Sequence, residues 1–171
     1  MDKKISSISN SLVRQFGSRD PFAIADGLGF TVTFREDFKH QRGAFAIILR
    51  NVFIFINSNL CDEMQRMVCA HELGHALLHR GIAAKSPWIL EHELFDMRNK
   101  AEYEANLFAA SLLIDKDELY SLLKNGMDVI QAASCMKVNV NLILMYITME
   151  RDIPSGSRRL PFLPDAAFLK D

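Results

Sequence analysis

The sequence predicts an α+β fold: a small antiparallel sheet of about three strands packed against the helix carrying residues 71–75 and a second helix carrying Glu102, with additional N- and C-terminal helices. Two observations predict it. Three short runs between Phe30 and Ile56 are rich in β-branched and aromatic residues, and two longer runs downstream show apolar residues at helical spacing.

Ile5 to Phe16 and Asp20 to Gly27 read as short helices, the second with Asp20 as cap, Pro21 at the favoured first position, and Gly27 and Gly29 ending it. Phe30 to Phe34 alternates apolar and polar, the pattern of a half-buried strand. Gly43 to Leu49 and Val52 to Ile56 then form a hairpin about Arg50-Asn51. Asn57-Ser58-Asn59 closes the last strand, and Asp62 with Gln65 resembles a capping box opening a helix to about His79. Residues 81–99, with Pro87 and Trp88, read as irregular, and a second helix spans about Lys100 to Ile114. Three short helices follow at 116–124, 127–135 and 139–149, separated by Gly126 and by Val138-Asn139-Val140. The expected organisation is a core with N-terminal helices over 1–115, a helical extension packed on it over 116–150, and a Pro-containing tail over 151–171.

A chain of 171 residues has room for one real core. The net charge of -1 supplies no global pull toward nucleic acid or an anionic membrane. The basic start lacks the apolar stretch of a signal peptide, and no run of about 18 apolar residues could span a bilayer. The expected location is therefore the cytoplasm. Three cysteines, Cys61, Cys69 and Cys135, without CxxC spacing, argue against a disulfide framework or a thiolate zinc knuckle. Cys69 should be core, and Phe45, Phe53, Phe55 and Trp88 read as packing rather than a substrate pocket.

Residues 71–75 read His-Glu-Leu-Gly-His, an HExxH motif. Helical residues four apart share a face, so His71 and His75 can aim both imidazoles at one metal ion. Glu72 projects about 100° away, suited to a general base rather than a ligand. Nitrogen and oxygen donors suggest zinc, with manganese as the alternative ion, and a catalytic zinc needs a third protein ligand. The downstream donors are His79, Glu91, His92, Glu93, Glu102 and Glu104. With Glu102 at zero on a helical wheel, Asn106, Ala109 and Leu113 lie within about 40° of it, a core stripe, whereas Lys100, Glu104, Ser111 and Asp115 lie at about 160–220°, a stripe suited to solvent. Glu102 is thus an acidic residue on the buried face, which a metal would satisfy. Asn106 is placed to hold the free ring nitrogen of a ligand histidine. Glu104 reads as a solvated charge. The plain alternative keeps His71 and His75 as core histidines and Glu72 as a surface charge. By itself HExxH remains a hypothesis, and Glu102 with Asn106 on a second helix strengthens it.

His79 continues the series, but three histidines would stretch the site along the helix axis, so a structural role, or support from behind a ligand, suits it better. His92 is a candidate contact to the oxyanion or substrate, with an ordinary loop histidine as the simpler reading.

HELGHALLH at 71–79 and EYEANLFAASLL at 102–113 resemble the ImmA/IrrE family of gluzincin-like metallo-endopeptidases, and Phe53 to Leu60, Asp20-Pro21-Phe22 and Leu28-Gly29 extend the likeness over roughly 18–115. The resemblance carries His71, His75 and Glu102 onto the family's HExxH plus ExxAN ligand set. It implies cleavage of a helix-turn-helix repressor of a prophage or mobile element. Two rivals stand beside that expectation: a catalytically silent metal-binding module that holds a repressor or other partner without cleaving it, and a DNA-binding regulator using 127–149. The latter segment carries few basic residues.

Overall fold

The computed structural model describes residues 2–83 and 95–150, with side chains given over 3–81 and 100–150. In chain order its elements are α1 (Asp2–Phe16), α2 (Pro21–Gly27), β1 (Thr31–Arg35), β2 (Gly43–Ile48), β3 (Asn51–Asn57), α3 (Asp62–Leu78), α4 (Arg80–Ala83), α5 (Phe95–Leu113), α6 (Lys116–Lys124), α7 (Val129–Cys135) and α8 (Val140–Met149). This is the α+β arrangement the sequence predicts. Trp88, His92 and the residues after 150 lie outside the described residues, as do 84–94 in general.

The sheet is mixed rather than antiparallel throughout. Its order is β1-β3-β2, with β2 antiparallel and β1 parallel to β3. The physical reason lies in the loop 36–42. Instead of folding β2 back beside β1, it passes over the end of β3, where Asn57 Nδ2 donates to Phe38 O at 3.1 Å and Gln41 O at 3.0 Å. β3, the most apolar strand, thereby takes the centre, and Val52, Ile54 and Ile56 on one face are at most 1% exposed. The hairpin turn is one residue earlier than expected. Leu49 (φ 50°) and Arg50 (φ 70°) both adopt left-handed backbone between paired Ile48 and Asn51, as a two-residue turn requires.

Asp20 caps α2, its side chain accepting from Phe22 N, with Pro21 at the first helical position. The capping box expected at Asp62 is absent. Cys61 occupies the cap position without a side-chain bond, and Gln65 instead donates to Ser58 O and Leu60 O, tying strand end to helix start. Asp62 and Glu63 still lie in the first turn of α3, where negative charge suits the helix dipole.

α5 begins at Phe95, earlier than the sequence suggests, and packs on α1, α3 and α8. Ser9 of α1 and Ser111 of α5 bond each other at 2.5 Å in the interior, so Ser111 does not face solvent as the helical wheel suggests. Arg19 donates to Leu112 O at 3.0 Å and meets Asp115 at 3.2 Å, satisfying the open carbonyl end of α5 while Asp115 caps α6. Asp128 and Gln131 form a capping box at α7. Leu142 through Ile147 of α8 are buried, so that face is not free to enter a DNA groove. Among the described residues no single helix is long and apolar enough to cross a membrane.

Candidate metal centre

Local packing brings α3 and α5 together at Gly74. A Cβ there would lie 3.1 Å from Ala105 Cα, Ala105 O and Phe108 Cδ1, so the missing side chain permits a close crossing. That crossing sets Glu102, one turn before Asn106, level with the paired histidines.

His71 Nε2 and His75 Nε2 are 3.1 Å apart. Glu102 Oε2 lies 3.3 Å from the first and Oε1 3.5 Å from the second. All three side chains offer an atom within 4.8 Å of the others. Donors held about 2.0–2.1 Å from a tetrahedral zinc stand about 3.3 Å apart, so these separations fit a shared ion. The ring hydrogen bonds agree. Asn106 Oδ1 is 2.8 Å from His71 Nδ1, which puts the ring proton there and leaves the Nε2 lone pair facing the shared point. Two imidazoles and a carboxylate converging in this way could hold a cation.

The electrostatics follow from the same crowding. Burial opposes ionisation of Glu102, but hydrogen bonds to His71 and His75 outweigh it and hold the carboxyl well below its usual range. Burial lowers His75, favouring the neutral imidazole that ligation requires, whereas at His71 the contact with Glu102 and the charge of Glu72 overcome burial and raise it, so that in the metal-free protein an ion would compete with a proton for the His71 Nε2 lone pair. Glu72 is pushed up to about 7, chiefly by burial and secondarily by the charge of Glu102, with His71 pulling the other way. Such a group sits where a general base is useful. Cys69 is fully buried, which raises its thiol.

The structure thus brings His71, His75, Glu102, Glu72 and Asn106 into one place. His79 adjoins them, its Nδ1 3.2 Å from His75 Nδ1. Three features escaped the sequence. Glu104 is not a solvated charge: its Oε2 lies 3.0 Å from His79 Nε2 and its side chain is 13% exposed. A helical wheel gives the direction of a Cα–Cβ bond but not the reach of a long side chain. Phe45 of β2 stacks on His75, ring centroids 5.8 Å apart and nearly parallel, so it belongs to the wall of the site. Gly43 leaves room for Glu72, because a Cβ there would meet Glu72 Oε1 at 2.9 Å and Val68 Cγ1 at 2.4 Å. A lone glycine opening a strand is a known mark of close approach and was the available signal.

A histidine pair on one helix, crossed by a carboxylate from the next and backed by a small sheet, makes a cluster that could hold a metal ion. Residues 26–147 match the IrrE N-terminal-like domain, Peptidase M78, and the chain belongs to that family. It is also 35% identical, over 121 residues, to uncharacterized immunity region protein 2 of Bacillus phage phi105, covering 71% of this chain and 74% of the phage protein.

Proposed function

We propose that this protein is a zinc-dependent metallo-endopeptidase that cleaves a helix-turn-helix repressor of a prophage or mobile element in the cytoplasm. The observation that carries the reading is the convergence of His71, His75 and Glu102 with a buried Glu72 beside them. Family membership supports peptide hydrolysis, and the likeness to a phage immunity-region protein supports a repressor-related partner. In this reading residues 1–115 carry the catalytic apparatus and the helices over 116–150 buttress it.

A zinc ion held by His71, His75 and Glu102 would supply Lewis acidity and make water acidic at neutral pH. Glu72 takes a proton from the attacking water on its carboxylate and delivers it to the departing amine nitrogen. Asn106 keeps the His71 ring in its ligand orientation. β2 is an edge strand with no strand paired to its outer side among the described residues. An extended substrate segment aligns there by adding a strand, with Phe45 and His75 beneath it.

The test is incubation of zinc-loaded protein with the repressor encoded beside its gene. Discrete fragments, prevented by a chelator, are the expected result. A stable complex without fragments would favour the silent binding module. A second expectation concerns Gly43. Gly43→Ala places a methyl against Glu72 and should lower turnover by about 10²-fold, the cost of an ångström-scale misplacement, while zinc content stays stoichiometric. Steady-state rates with metal analysis check it, and undiminished turnover would remove Gly43 from the argument.

A further inference from the structure

We infer that Glu104 is a positioning residue which, acting through His79, fixes the tautomer and orientation of His75 for metal binding. The inference rests on the zinc reading of the site and adds residues to it.

The two ligand histidines are supported differently. His71 is held directly by Asn106. Among the described residues His75 has no amide in that role; its Nδ1 faces His79 Nδ1 at 3.2 Å. Two ring nitrogens at that distance share one proton, so one donates and the other accepts. Glu104 decides which. Its carboxylate oxygen Oε2 lies 3.0 Å from His79 Nε2 and only accepts, so Nε2 carries a hydrogen. With the His79 proton on Nε2, its Nδ1 presents a lone pair to His75. The proton between the rings then resides on His75 Nδ1, and the His75 Nε2 lone pair faces His71 and Glu102. The reverse arrangement would protonate His75 Nε2 and block ligation.

Burial supports a specific role. His79 is 8% exposed, and Glu104 Oε1 is buried without a hydrogen-bond partner among the described residues. A carboxylate kept in such a place is costly unless its other oxygen does something an apolar side chain would not. The Gly74–Ala105 crossing explains the geometry: α5 delivers Glu102 to the ion and Glu104 to the histidine behind it.

The experiment measures zinc affinity by competition with a chromophoric chelator for the wild type, Glu104→Gln, Glu104→Leu, His79→Phe and the His79→Phe/Glu104→Leu double variant. Glu104→Leu and His79→Phe should each weaken binding by about 10–100-fold, as loss of ligand support does. Glu104→Gln, whose carbonyl still accepts from Nε2, should stay within about threefold of wild type. The double variant should bind no more weakly than His79→Phe, since the effect runs through one path. Wild-type affinity in Glu104→Leu, or equal losses in the Gln and Leu variants, would overturn the inference. Nitrogen-15 imidazole spectra of the zinc-loaded wild type provide a reading independent of any variant's folding. The His79 hydrogen should be on Nε2, facing Glu104, and finding it on Nδ1 would break the chain and refute the inference. A wild type that takes up no zinc would sink the zinc reading together with this inference, whereas zinc uptake indifferent to Glu104 sinks this inference alone.

Discussion

Replacing Glu72 by Gln is expected to leave zinc binding intact and to reduce peptide cleavage by about 10²–10⁴-fold, the range general-base catalysis supplies. Gln keeps the volume and one acceptor oxygen, so packing around Val68 and Gly43 is preserved. What it removes is the ability to take a proton. Turnover of the cognate repressor with metal content measured in parallel decides the matter; a variant within tenfold of wild type would take Glu72 out of the mechanism.

The same substitution carries a stability signature of known sign. In the metal-free protein Glu72 is moved from its ordinary 4.5 to about 7, mainly by burial. A carboxyl raised in the folded state binds its proton more tightly there than in the unfolded chain. Its contribution is therefore fully favourable below about pH 4.5 and is lost as pH rises through about 7. At pH 8 the buried ionised group costs the fold about 3 kcal/mol, at about 1.4 kcal/mol per tenfold change in proton affinity. Metal-free Glu72→Gln should thus be the more stable protein at pH 8, with the advantage shrinking toward pH 4.5. Denaturant midpoints at the two pH values measure it, and equal midpoints at pH 8 would show that Glu72 is not confined as the geometry indicates. Under the proposed mechanism, function would ask for a destabilising group, as catalytic sites commonly do.

Much of this centre was legible in residue order because its parts obey helical spacing. His71 and His75 share a face of α3, and Glu102 and Asn106 share a face of α5, so local periodicity foretold both pairs. The features that escaped depend on contacts between elements. The central position of β3 follows from a loop crossing its end, which alternation within β1 cannot reveal. Ser111 and Glu104 were assigned to solvent because the wheel assumes one buried face, whereas α5 packs against α1, α3 and α8. Gly43 and Phe45 acquire meaning only when β2 lies beside α3, a tertiary fact.

Removing a ligand should affect folding as well as catalysis. The unfolded chain does not hold His71, His75 and Glu102 together, so a bound ion stabilises only the folded state. Zinc at a hundredfold excess over its Kd contributes about 2.7 kcal/mol, which for a chain of this size raises the melting temperature by about 5–10 °C. Glu102→Gln and His75→Ala should abolish that zinc-dependent rise along with turnover. Glu72→Gln should keep the rise and lose only turnover. Calorimetric scans with zinc and with chelator separate the two classes. A zinc-dependent shift surviving in His75→Ala would mean that the ion sits elsewhere, and with it the assignment of the HExxH face as the metal centre would fall. The contrast is the sharper because His75 and Glu72 lie on one helix three residues apart, both buried, while the proposal gives the cation to the first and the proton to the second.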